Sequence, residues 1–198
     1  QIKAGNIIFK FLEKGSLEAI SNQQVFEKAQ KDALTGAFSK GALLEKGPEA
    51  IKRSEVLTEP MSVITFDIDH FKQINDTHGH AAGDRVLREL AERVSYTIRD
   101  IDVVARYGGE EFIVILPDVD EASAFKIAER LRWVVAEREF RGDDLQKRDI
   151  PVTISVGIAL SDKGDTTAAD IIACADRALY EAKRMGRNRI AVDPRDSV

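Results

Sequence analysis

Cysteine is almost absent. The 198 residues include one, Cys174, so no intrachain disulfide can form. That excludes the disulfide-held secreted scaffolds. Long apolar runs are also missing: no stretch approaches the roughly 20 residues of a membrane-spanning helix, and no signal peptide opens the chain. Positive charge is not in excess. Lys and Arg number 29 against 34 Asp and Glu, a net charge of −5. With an isoelectric point near 5.4, the chain lacks the basic footprint of a nucleic-acid binder. Any phosphate must then be met by a few placed cations rather than by a general field. His70, His78 and His80 form no ligand set with cysteine, so zinc is not expected. Repeats and low-complexity tracts are absent. What is present is ordinary for a folded protein: 43% hydrophobic and 32% charged residues. The expectation is a cytoplasmic α/β protein of one domain plus a short extension.

The extension is the first 31 residues. Ile7-Ile8-Phe9-Lys10-Phe11-Leu12 follows a Gly-Asn turn signal and reads as a short strand. A lone strand cannot bury its own face. Residues 1–15 are therefore read as the tail of an upstream domain, and the segment resembles the strand that closes forkhead-associated β-sandwiches. An added edge strand on the main domain is the alternative. Ser16 can cap a helix over 16–31, with Leu17, Ile20, Val25, Phe26 and Ala29 at helical spacing. This connector packs on its own domain or pairs with a second copy as a coiled coil.

From Asp32 onward, helix and strand alternate. Helices are expected over about 39–54, 82–99, 122–137 and 168–184. Strands are expected over 61–67, 102–106, 111–116, 152–160 and 189–192. Met61-Ser62-Val63-Ile64-Thr65-Phe66 reads as a strand buried on both faces. A central sheet with helices packed on it follows.

Two clusters carry chemistry. The buried strand ends abruptly in Asp67-Ile68-Asp69, and in open sheets ligands sit beyond strand ends. A carboxylate there suits a hard cation such as Mg²⁺. Asp67 is read as the metal ligand, and Asp69 as a cap for the next helix. The second cluster is Arg106-Tyr107-Gly108-Gly109-Glu110-Glu111-Phe112. Two glycines allow positive φ at a hairpin tip and close ligand approach. Adjacent carboxylates there point to opposite faces of the ribbon. Alone, this is an ordinary hairpin end; beside Asp67 it is far more specific.

Gly108-Gly109-Glu110-Glu111-Phe112 resembles the signature of GGDEF-domain diguanylate cyclases in its GGEEF form. The resemblance runs over nearly all of residues 32–193, and the domain it implies is assigned to 32–194. It includes Asp32-Ala33-Leu34-Thr35, Phe66-Asp67-Ile68-Asp69-His70-Phe71-Lys72, Asn75-Asp76, Gly79-His80, Gly83-Asp84 and Lys183-Arg184-Met185-Gly186-Arg187-Asn188. Gly36-Ala37-Phe38-Ser39-Lys40 departs from the family, which more often has Leu and then Asn-Arg. The fold implied is α+β, a nucleotidyl-cyclase palm: a mainly antiparallel sheet flanked by helices, with an N-terminal connector helix. The reaction implied joins two GTP into cyclic di-GMP and two pyrophosphates. Two protomers are needed because one domain binds one GTP.

Residue by residue, the resemblance implies that Asp67, Glu110 and the Ile68 carbonyl hold Mg²⁺, for which Mn²⁺ can substitute. Glu111 would help activate the 3′-hydroxyl. Lys72, Lys183 and Arg187 would meet the β- and γ-phosphates, although a basic helix end also complements the helix dipole. Asn75 and Asp84 would read guanine, with Leu34 and Phe71 walling the base. Arg99-Asp100-Ile101-Asp102, with Arg130, would form an inhibitory site for cyclic di-GMP. By itself such a pair is an ordinary surface ion pair. A catalytically silent cyclic di-GMP receptor is the alternative, against which the intact Glu110 and Glu111 weigh. A mixed cyclic GMP-AMP product is disfavoured by the carboxylate of Asp84. No nucleic acid and no membrane contact is expected for this segment.

Overall fold

The structure is a computed structural model that describes residues 2–4, 7–9, 30–141, 149–161 and 167–193. Ile2–Ala4 (β1) and Ile7–Phe9 (β2) pair antiparallel as a two-stranded sheet of their own. The strand expected at residues 7–12 is therefore present in part, its partner was not foreseen, and it is not an edge of the main sheet. Of the connector helix expected over 16–31, residues 16–29 lie outside the described residues.

The main domain is a six-stranded sheet in the order β3-β5-β6-β4-β7-β8. The strands are Phe38–Ser39 (β3), Met61–Ile68 (β4), Val103–Gly108 (β5), Glu111–Pro117 (β6), Ile154–Leu160 (β7) and Ile190–Val192 (β8). β5, β6, β4 and β7 run antiparallel, and only the edge strands β3 and β8 pair parallel. The mainly antiparallel sheet expected from the sequence is observed.

All eight residues of β4 are buried, because helices cover both faces. Side chains alternate across a strand. Ile64, Phe66 and Ile68 join one core with α2 (Phe71–His78), α3 (His80–Ser95) and α4 (Glu121–Glu137). Met61 and Val63 face the other core, beneath α1 (Lys40–Leu57) and α5 (Ala168–Arg184). Phe66 and Phe112, opposite each other on β4 and β6, stack with centroids 5.4 Å apart.

Caps explain the helix starts. Ser39, Asp120 and Thr167 each accept an amide hydrogen from the first turn that follows. The helix expected over 82–99 is shorter at its end. Ser95 and Thr97 hydroxyls bond back to the Ala91 and Arg93 carbonyls, at 2.8 and 2.7 Å. Such bonds compete with the helical ladder, and the helix stops at Ser95. The helix expected after Asp69 is Phe71–His78, and the two-residue strand β3 was not anticipated.

Candidate active site

β4 ends in Asp67 and Ile68, and β6 begins at Glu111. The register sets Asp67 opposite Glu111, so the two side chains rise from one face with Cβ atoms roughly 5 Å apart. Glu110 lies in the adjoining two-residue turn with Gly109. The same face is covered by α5, which approaches β7 closely at Gly157. A Cβ there would stand 2.1 Å from the Ala175 carbonyl oxygen and 2.3 Å from the Leu179 nitrogen. That approach carries Lys183 to the strand end, where its ammonium lies 2.9 Å from Asp67 Oδ2.

Asp67 is short of positive charge. Burial pushes its carboxyl up to about 6, Glu110 and Glu111 push the same way, and Lys183 opposes them by hydrogen bond and charge. Asp176, two helical turns before Lys183, is also raised, first by burial and then by Glu111. It lies outside the sequence motifs. Among the described residues no three of His, Cys, Asp or Glu already converge on a metal position. In kind, carboxylates and a carbonyl around an undercompensated Asp67 fit a hard divalent cation.

The hairpin tip is braced by Arg106. Its Nε and Nη2 donate to the Gly109 carbonyl at 2.9 and 2.7 Å. Its Nη1 reaches Asp32 at 3.2 Å, and Asp32 also accepts from the Thr35 amide and hydroxyl. The Asp-Ala-Leu-Thr turn is thereby fastened to the β5–β6 hairpin. Contrary to expectation, neither Gly108 nor Gly109 takes a positive φ. A register shift between Arg106 and Gly108 lets the ribbon turn without it.

The residues expected around a base meet on α2 and α3. Phe71 is 9% exposed and opens α2, which leaves first-turn amides free of helical partners. A Cβ on Gly83 would lie 1.9 Å from Asn75 Oδ1 and 3.2 Å from Phe71 Cζ, so any larger residue would displace the Asn75 side chain from this position. Lys72 and Asp84 are exposed beside them, and Leu34 packs partly buried against the same core.

Asp69 does not cap α2. His70 holds the cap position with φ +58° and no side-chain bond. The Asp69 carboxylate turns into the protein instead. It accepts from Ser155 Oγ at 2.6 Å, Thr153 Oγ1 at 2.7 Å and the Asn188 amide at 3.0 Å. That last bond grips the loop after α5, where Gly186, Arg187 and Asn188 have φ of +113°, +63° and +45°. A left-handed arginine costs on the order of 1–3 kcal/mol, so the surroundings must hold it.

Arg99 and Asp102 lie at the other end of the β5–β6 hairpin. Arg99 Nη2 donates to Asp102 at 2.7 Å and to the Pro117 carbonyl at 2.7 Å, and its amide donates to Asp102 Oδ2 at 2.8 Å. With Lys31, Gly36 and Phe38 they line a cavity of about 260 Å³. Arg130 bonds the Thr97 carbonyl nearby. Asp32, Arg106 and Asp69 stand within the sequence motifs and Asp176 does not, and the roles of all four depend on contacts between distant segments.

Residues 29–189 match the family model "Diguanylate cyclase, GGDEF domain". The chain is 41% identical over 177 residues to diguanylate cyclase A of Treponema denticola, covering 88% of this chain and 47% of that protein. It is 42% identical over 168 residues to response regulator PleD of Caulobacter vibrioides, covering 83% and 36%. The chain thus spans less than half the length of these relatives. The coiled coil and GGDEF domain of DgcB from Caulobacter crescentus, solved with c-di-GMP, superposes with a TM-score of 0.84 at 31% identity. That match covers 88% of this chain and 91% of the solved one. No helix among the described residues is long and apolar enough to cross a membrane.

Proposed function

The chain belongs to the GGDEF family of diguanylate cyclase domains, and on that premise we propose that it condenses two GTP into cyclic di-GMP and two pyrophosphates. One observation carries the reading. Asp67, pushed up to about 6 by burial and by Glu110 and Glu111, meets Lys183 at the end of a buried strand. Such an acid-rich, cation-seeking edge suits triphosphate chemistry.

Asp67, Glu110 and the Ile68 carbonyl would hold Mg²⁺, or Mn²⁺ in its place. When bound, the ion supplies positive charge to the α-phosphoryl group and the leaving pyrophosphate. Glu111 accepts the proton of the 3′-hydroxyl of one GTP. That oxygen forms a bond to the α-phosphorus of the other GTP, and the bond from this phosphorus to the α–β bridging oxygen breaks. Lys72, Lys183 and Arg187 neutralise the departing pyrophosphate. A second transfer in the reverse sense closes the ring. Asn75 and Asp84 select guanine, because a carboxylate accepts from N1–H and the 2-amino group, donors that adenine lacks. Leu34 and Phe71 wall the base.

Each domain holds one GTP, so catalysis needs a homodimer. The connector over 16–31 would pair the two copies, as a coiled coil accompanies the domain in the DgcB structure. Residues 1–15 would belong to an upstream domain and 32–194 to the cyclase. Arg99, Asp102 and Arg130 would bind cyclic di-GMP and inhibit. With GTP as its substrate, the domain would work in the cytoplasm. Incubation with GTP and Mg²⁺, with mass identification of the product, tests the reading. Cyclic di-GMP is expected, and intact GTP after long incubation of the dimeric protein would overturn it.

A further inference from the structure

Arg187 stands in a conformation that arginine rarely adopts, and two side chains from elsewhere in the fold hold its loop. From below, buried Asp69 accepts the Asn188 amide at 3.0 Å while Ser155 and Thr153 fix its carboxylate to the β7 region. From the side, Arg132 of α4 donates Nη1 to Asn188 Oδ1 at 2.8 Å. Glu129 occupies the other edge of that guanidinium, with Nε at 3.1 Å and Nη2 at 2.9 Å, so the fork is aimed. Within the loop, the Arg187 amide bonds the Ala182 carbonyl at 3.1 Å, and Arg189 Nε bonds the Arg187 carbonyl at 3.2 Å.

We propose that Asp69 and Arg132 are positioning residues that clamp Asn188 and so aim Arg187 at the β- and γ-phosphates of the bound nucleotide. The inference rests on the triphosphate reading of this edge. Neither residue need touch substrate. Asp69 sets the height of the loop against the strand end that carries Asp67. Arg132 sets its rotation from the neighbouring helix. Without the clamp, the residues at positive φ relax toward ordinary backbone, and the guanidinium loses its direction. The glutamates and the base-reading residues stay where they are.

The chemistry of Asp69 supplies a conservative control. In Asp69→Asn the amide oxygen still accepts the Asn188 N–H. Its NH₂ donates to Ser155 Oγ, because a hydroxyl also accepts. Asp69→Ala removes the grip altogether.

The test measures binding of α,β-methylene GTP and of GMP by titration calorimetry, with KM and kcat for GTP alongside. The proteins are wild type, Arg132→Met, Asp69→Asn and Asp69→Ala, each with and without Arg187→Ala. Arg132→Met keeps the stem of a partly exposed side chain and removes its fork, so it stands if Asp69→Ala fails to fold. Arg132→Met is expected to weaken the methylene analogue about 3- to 30-fold and to raise KM more than it lowers kcat. GMP, which lacks the outer phosphates, should bind as before. Asp69→Asn should stay within about threefold of wild type. In the Arg187→Ala background the effect of Arg132→Met should vanish. Equal weakening of analogue and GMP, or losses that add fully in the double variant, would overturn the clamp. The product assay on wild-type protein speaks separately to the cyclase reading: analogue binding with full coupling but no cyclic di-GMP sinks that reading and leaves the clamp standing.

Discussion

Asp67 and Asp102 are both buried, with side chains 10% and 1% exposed, and each faces a basic side chain that is partly open to solvent. Asp102 is saturated. Arg99 gives it a backbone amide at 2.8 Å, Nε at 3.2 Å and Nη2 at 2.7 Å, and the pair raises Arg99 above its usual range. Asp67 has the Lys183 ammonium on one oxygen and two glutamates crowding it, and its carboxyl rises to about 6. The two sites lie at opposite ends of the β5–β6 hairpin, about 20 Å apart for six residues of strand. Burial of a carboxylate therefore does not identify a reactive site. What differs is compensation: the saturated acid latches structure, and the starved one waits for a cation.

The largest break expected is at the starved end. Glu111→Gln should lower cyclic di-GMP formation about 10²- to 10⁴-fold, the usual scale for losing a proton acceptor. Cyclic di-GMP binding at the Arg99 end should be unaltered. A near wild-type rate in a quenched assay would remove Glu111 from its role.

At the saturated end, Arg99→Ala should weaken cyclic di-GMP binding about 10- to 150-fold, the cost of charge-assisted hydrogen bonds. Superimposable calorimetric isotherms for the two proteins would mean the inhibitory site lies elsewhere.

The sharpest contrast is in stability. Asp102→Asn should destabilise the fold by about 1–3 kcal/mol, because Arg99 loses its charged acceptor. Asp67→Asn should raise the melting temperature of the metal-free protein at pH 7.5, since it removes a buried charge that Lys183 only partly compensates. Changes of the same sign at both positions, followed by circular dichroism, would erase the distinction drawn between them.

The smallest effect is in pH. Asp67 keeps its proton up to about pH 6 when folded, against 3.8 as the ordinary value. Between these limits the folded protein binds more protons than the unfolded one. This group's contribution to stability is then full below about 4 and is lost as pH rises through 6. Added Mg²⁺ should stabilise more at pH 7.5 than at pH 5, where protons compete for Asp67. Equal Mg²⁺-induced melting shifts at the two pH values would place the ion elsewhere.

Much of this was legible in the residues alone. The near-continuous apolar run of β4 announced a strand buried on both faces, and the acids at its end announced the candidate site. The apolar spacing announced helices over about 39–54, 122–137 and 168–184. These features are local: period, cap chemistry and strand termination are written in neighbouring residues. The end of α3 was misread because Ser95 and Thr97 drew backbone carbonyls to themselves, a competition that the apolar spacing conceals.

The tertiary structure alone decided the rest. Asp69 looked like a cap and became an internal tether, because its partners Thr153, Ser155 and Asn188 lie 84 to 119 residues away. Asp32 and Arg106, 74 residues apart, fasten the domain entrance to the hairpin. Whether a buried carboxylate is saturated like Asp102 or starved like Asp67 depends on which cations and acids the packed sheet and helices bring within a few ångströms. Sequence determines which side chains carry charge. The balance of that charge in a low-dielectric interior is a property of distance, and only the folded chain sets the distances.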